Sequence, residues 1–67
     1  MTNLKRIRQQ RGLSQSELAE SSGVSVRMIQ HYEQRFRNIN QASAETVTKL
    51  ADALAVDVHD LLEEYQN

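Results

Sequence analysis

Residues Gln15 to Glu33 read QSELAESSGVSVRMIQHYE, and their spacing predicts two short amphipathic helices meeting at Gly23. Leu18, Ala19 and Ser22 share one helical face in the first half, and Ile29, Tyr32 and Glu33 share one in the second, so both faces point inward. Gly23 is free to take positive φ, which lets the chain leave one helix and enter the next within about three or four residues. A side chain there would strain the turn, and the small Ala19 sits where the two helices must cross closely. Ser14 followed by Glu17 forms a capping box that opens the first helix, and Ser25 is a good N-cap for the second.

Two helices joined in this way make a helix-turn-helix, and the residues that build it resemble a known family. The pattern Gln15, Leu18-Ala19, Gly23-Val24-Ser25, Ile29 and Tyr32-Glu33 is similar to the phage repressor and Cro type of helix-turn-helix, also called the xenobiotic-response-element family. The likeness continues on both sides. Leu4, Lys5, Ile7 and Arg8 with the run Arg11-Gly12-Leu13-Ser14-Gln15 resemble that family's first helix, and Thr46, Val47, Lys49, Leu50, Ala51, Ala53 and Leu54 resemble its fourth. The resemblance covers nearly all of the 67 residues. It implies an all-α fold: a compact, lambda-repressor-like bundle of five short helices, with helices 2 and 3 forming the motif and residues 1–67 forming one DNA-binding domain. It also implies a sequence-specific, double-stranded DNA-binding transcriptional regulator, prokaryotic or phage-borne and acting as a repressor.

Composition fits one small helical domain. A chain this short buries only roughly 60% of its unfolded surface, so each core residue matters. The absence of cysteine rules out disulfides and thiolate zinc sites and suits the cytoplasm. No apolar run approaches membrane length, no signal peptide is visible, and no proline, linker or repeat breaks the chain. Met1 and the polar end Gln66-Asn67 suit a complete small protein. The net charge of −1 conceals a polar molecule. Residues 1–37 hold seven cations against three acids, net +4, whereas the remainder holds Lys49 against six acids, net −5. A basic half that includes the second motif helix can face phosphates while the acidic half stays away; the alternative is that both halves are merely solvated.

The first helix is predicted from about Asn3 to Arg11, capped by Thr2 or Asn3 and stopped by Gly12, with Leu4 and Ile7 inward. A loop from about Arg35 to Ala42 follows the motif. Ser43 then caps a helix whose Val47, Leu50, Ala51 and Leu54 form a core stripe, and Asp57 caps a last short helix carrying Val58, Leu61, Leu62 and Tyr65. The family usually has glycine where Ala55 stands, so a left-handed Ala55 would cost about 1 kcal/mol unless the turn is built differently. Arg8 breaks the apolar stripe of the first helix. A half-buried guanidinium needs an acceptor, and Glu33 is the best one in sequence, a pairing that the resemblance supports; the alternative leaves both in solvent with Arg8 on phosphate.

A rotation of roughly 100° per residue puts Val26, Arg27, Gln30, His31 and Gln34 opposite Ile29 and Tyr32, on the face expected to enter the major groove. Arg27 can donate twice to guanine O6 and N7, with phosphate as its alternative, and Gln30 can bridge adenine N6 and N7 or be simply solvated. Val26 suits a thymine methyl, and His31 can donate to a base or a phosphate. Ser14 and Gln15 stand at a helix N-terminus, whose free N–H groups favour phosphate, and the resemblance puts a DNA-contacting glutamine at Gln15. By the family's fold, Arg35, Arg37, Asn38 and Asn40 lie in a loop beside the DNA backbone, where they position the protein; as plain surface, the arginines would only solubilise it. Met28 is a filler at the edge of the core.

His31 and His59 lack a third metal ligand nearby in sequence, and no phosphate loop or catalytic triad is present, so an enzyme and a cofactor are not expected. The expected partner is an inverted-repeat DNA operator bound by a homodimer, its half-sites one helical turn, ~34 Å, apart. Leu61, Leu62 and Tyr65 either form the dimer surface or pack within the chain against the first and fourth helices. The competing reading is a protein-interaction module of the same fold, an antitoxin or adaptor subunit whose main ligand is another protein. The basic recognition face argues against it.

Overall fold

The computed structural model describes residues 1–64. They form α1 (Asn3–Gln10), α2 (Gln15–Ser22), α3 (Val26–Glu33), a 3-10 turn over Ile39–Gln41, α4 (Ala44–Leu54) and α5 (Val58–Leu61), with no strand among them. Helix starts are set by side-chain oxygens that accept otherwise unpaired backbone N–H groups. Thr2 Oγ1 accepts from Lys5 N, Ser25 Oγ from Met28 N and Ser43 Oγ from Thr46 N. At α2 the box is reciprocal: Ser14 Oγ accepts from Glu17 N at 3.0 Å, and Glu17 Oε1 accepts from Ser14 N at 2.9 Å.

Left-handed residues set the helix ends. Gly12, Gly23, Arg35 and Ala55 all have positive φ. After three of them the next N–H folds back onto the closing helix turn, as Leu13 N does to Arg8 O, Phe36 N to His31 O and Val56 N to Ala51 O. Gly23, at φ 77°, turns α2 into α3. A Cβ built there would meet no neighbour within 4 Å, so the turn's demand for glycine is conformational and not steric. Ala55 is left-handed at φ 59°, ψ 44°, so this turn keeps the glycine-type geometry and carries the cost of alanine.

The core draws from every helix: Leu4, Leu18, Ile29, Leu50, Leu54 and Leu61 are each wholly buried. Helix α2 packs on both α3 and α4, α4 packs on α5, and α1 touches α3 and α5. The two motif helices are thus held from behind, which leaves the front of α3 to solvent.

The final helix is shorter than its apolar spacing suggested. It ends at Leu61, and Leu62 is extended at ψ 149°. Polar groups from distant segments claim the backbone that would have prolonged it: Asn3 Nδ2 donates to Leu62 O, Asn40 Nδ2 donates to Glu63 O, and Glu63 N donates to Asn40 Oδ1. Of the two roles open to the apolar residues here, Leu61 takes the one inside the core, at 0% exposure. Leu62 is half-buried, and Tyr65 lies outside the described residues.

Candidate nucleic-acid interface

Helix α3 has two unlike faces. Ile29, Tyr32 and Glu33 are buried, while Val26, Arg27, Gln30 and Gln34 are exposed and His31 is half-buried. No ion pair engages Arg27 among the described residues, so its guanidinium is available to a ligand. Met28 is half-buried and packs at the edge of the core.

Behind this face lies the ion pair. Arg8 Nε donates to Glu33 Oε2 at 2.7 Å and Arg8 Nη2 to Glu33 Oε1 at 3.0 Å, a bidentate arrangement, with the two side chains only 10% and 2% exposed. Arg8 Nη1 donates to Leu13 O at 2.7 Å, which ties the α1–α2 turn to the same group. The Glu33 hydrogen bond raises the Arg8 pKa above its ordinary value, against the opposing effect of burial. The pair fastens α1 to the far end of the outward-facing helix.

Gln15 joins this network. Its Nε2 donates to Glu33 Oε1 at 3.0 Å, and its Oε1 accepts from Gln30 Nε2 at 3.3 Å. At the N-terminus of α2, where phosphate is the expected partner, Gln15 has one amide hydrogen and one carbonyl lone pair engaged within the chain. Its second amide hydrogen has no partner among the described residues. Ser14 is exposed, and its oxygen serves the capping box.

The loop after α3 divides into two kinds of residue. Arg37 is exposed and has no ion-pair partner among the described residues, and the half-buried Asn38 uses Oδ1 to accept from Asn40 N at 2.8 Å. Asn40, by contrast, commits both ends of its amide to the backbone of Glu63. Arg35 Nη1 lies 3.4 Å from Glu63 Oε1 yet stays 48% exposed, so its charge is shared between Glu63 and solvent.

Three residues gained importance that spacing did not reveal. Glu63, one of the six acids of the acidic half, has a side chain only 8% exposed, which accepts from Asn3 N at 2.9 Å and faces Arg35. Its partners lie too far away in sequence for any local pattern to flag them. Arg11, at the end of the first helix, has no partner legible in local spacing, yet its Nε donates to Leu54 O at 2.8 Å and satisfies a carbonyl at the end of α4. Phe36 is 74% exposed beside Arg35 and Arg37 and meets His31 edge to face at 5.9 Å. A large apolar side chain in a basic loop was the available signal.

Neither a membrane-spanning helix nor a metal-binding group of His, Cys, Asp and Glu occurs among the described residues. A helix-turn-helix family model matches residues 4–61. The HTH-type transcriptional regulator SutR of Escherichia coli (strain K12) is 46% identical over 55 residues, which are 82% of this chain and 29% of that protein. The chain therefore spans under a third of the length of this relative. No solved structure is a significant match.

Proposed function

The chain belongs to the helix-turn-helix family, and we propose that it binds double-stranded DNA in a sequence-specific way as a transcriptional regulator. The outward face of α3 enters the major groove, with Arg27 and Gln30 as the first base-reading residues and Val26 and His31 beside them. One observation carries this reading: Arg27 and Gln30 are exposed on a helix whose opposite side is locked into the core by Ile29, Tyr32 and the Arg8–Glu33 pair. Around that face, Ser14, Gln15, Arg35, Arg37 and Asn38 lie at a helix start and in a basic loop, as backbone-positioning groups should. Asn40 serves the same end indirectly by holding the loop to Glu63.

The active form is a homodimer on an inverted repeat with half-sites one helical turn, ~34 Å, apart, because one module of this size reads too few base pairs to act alone. With Leu61 consumed by the core, Leu62 is what α5 and its exit offer to a second copy among the described residues. Repression follows if the dimer occupies a site that polymerase needs.

The test is random-sequence selection followed by titration of the enriched duplex at two salt concentrations. Enrichment of a palindromic site, with affinity falling steeply between low and moderate salt, supports the proposal. Salt-insensitive association with no enriched sequence points instead to a protein-interaction module.

A further inference from the structure

We propose that Gln15 is a positioning residue that sets which way the Gln30 amide faces, and thereby the base that Gln30 prefers. The inference rests on the reading of Gln30 as a base contact.

What each group is able to donate or accept fixes the order of the contacts. Arg8 can only donate, and it occupies Glu33 from one side with two hydrogen bonds. An ionised carboxylate can only accept, so a side-chain amide that approaches Glu33 Oε1 must offer its nitrogen; Gln15 does so at 3.0 Å. Once its Nε2 is committed, Gln15 presents Oε1 to α3. Gln30 must then turn its own Nε2 toward Gln15, and it does so at 3.3 Å. Donor and acceptor order is thus handed from a buried ion pair to an exposed side chain across three helices.

The consequence concerns specificity. An unrestrained glutamine amide can flip, and the two orientations present opposite donor and acceptor patterns to a base edge. With one Nε2 hydrogen held by Gln15, Gln30 keeps a second Nε2 hydrogen and its Oε1 in a fixed order. That combination of one donor and one acceptor matches adenine N7 and N6. Holding the amide before DNA arrives also reduces the ordering that binding must otherwise impose. Glu33 and Gln15 therefore influence base choice without touching a base.

The experiment compares the wild type with Gln15→Met, Gln15→Lys, Gln30→Ala and the double variant Gln15→Met/Gln30→Ala. Each is titrated against the selected duplex and against all single base-pair variants of one half-site. Gln15→Met removes both ends of the relay. Gln15→Lys keeps a donor for Glu33 but has no acceptor for Gln30, so it preserves the contact that supports folding and breaks only the outer link. Thermal melts of every variant record whether folding is retained.

Gln30→Ala is expected to lose on the order of tenfold discrimination at one base pair. Both Gln15 variants should lose discrimination at that same position, and the double variant should lose no more there than Gln30→Ala alone. The relay is overturned if the Gln15 variants keep full discrimination at the Gln30 position, so that any loss falls on all duplexes equally as for a phosphate contact alone, or if the two losses simply add. In that case Gln30→Ala still shows its position-specific effect and the DNA-reading face stands. If Gln30→Ala itself is indifferent to sequence, the base-contact reading fails and the relay fails with it.

Discussion

A carboxylate with 2% exposure is expensive to bury alone, and Glu33 is compensated by donors from two other helices, Arg8 of α1 and Gln15 of α2. Glu33→Ala leaves the Arg8 guanidinium buried without its anion and is expected to cost about 3 kcal/mol. A thermal melt measures this, and a loss near zero would show that the pair does not hold α1 to α3. Ala55 gives a prediction of opposite sign. Its φ of 59° is one that glycine takes without a Cβ penalty, so Ala55→Gly should stabilise the chain by about 1 kcal/mol, which at this size raises Tm by roughly 4–8 °C. An unchanged or lowered Tm contradicts it. At Glu17, the backbone N–H and then the hydroxyl of Ser14 lower the carboxyl's pKa below the ordinary value. A lowered folded-state pKa gives stability that is present above the unfolded value and is lost as pH falls through the folded one. Glu17→Gln should therefore flatten that part of the acid limb of stability against pH, whereas parallel curves for the two proteins rule the contribution out. Arg8 and Glu33 could be paired in sequence because a charge on an apolar stripe demands an acceptor. Gln15's two hydrogen bonds, to Glu33 and from Gln30, could not, because a residue at a helix N-terminus shows only its local dipole and not the side chains that arrive from elsewhere.

At the scale of elements, caps and left-handed closures explain why helices α1 to α4 were readable. Ser14, Ser25 and Ser43 write the starts within three residues of the groups they satisfy, and Gly12 and Gly23 write the stops. The exit from α5 was not readable for the opposite reason. Val58, Leu61 and Leu62 carry helical spacing, yet the chain leaves the helix because Asn3 and Asn40 bind its backbone from 59 and 23 residues away. Glu63 consequently joins the start of α1, the basic loop and the end of α5. Asn40→Ala removes two hydrogen bonds at once and is expected to cost about 1–2 kcal/mol. Hydrogen exchange gives the sharper check: the Glu63 amide should lose protection while Leu50 and Leu54 in α4 keep theirs. Unchanged exchange at Glu63 would mean that the Asn40 amide does not hold this segment.

Over the whole molecule, charge is segregated along the chain, and the structure places Arg27 and Arg37 on exposed ground. If the basic half meets phosphates, Arg37→Ala should weaken binding to every duplex alike and reduce the steepness of log K against log salt by about one. A loss confined to particular sequences would instead make Arg37 a reader of bases. Arg27 is expected to behave in that second way, because it is the strongest donor on the exposed face of α3. The most direct measurement is the affinity of wild type and Arg27→Ala for the selected half-site and all its single base-pair variants at one fixed salt concentration. Arg27→Ala is expected to lose about 1–3 kcal/mol on the selected site, and the wild-type preference should disappear at one guanine-containing base pair only. Equal binding by the two proteins across every duplex would show that this face of α3 does not read DNA.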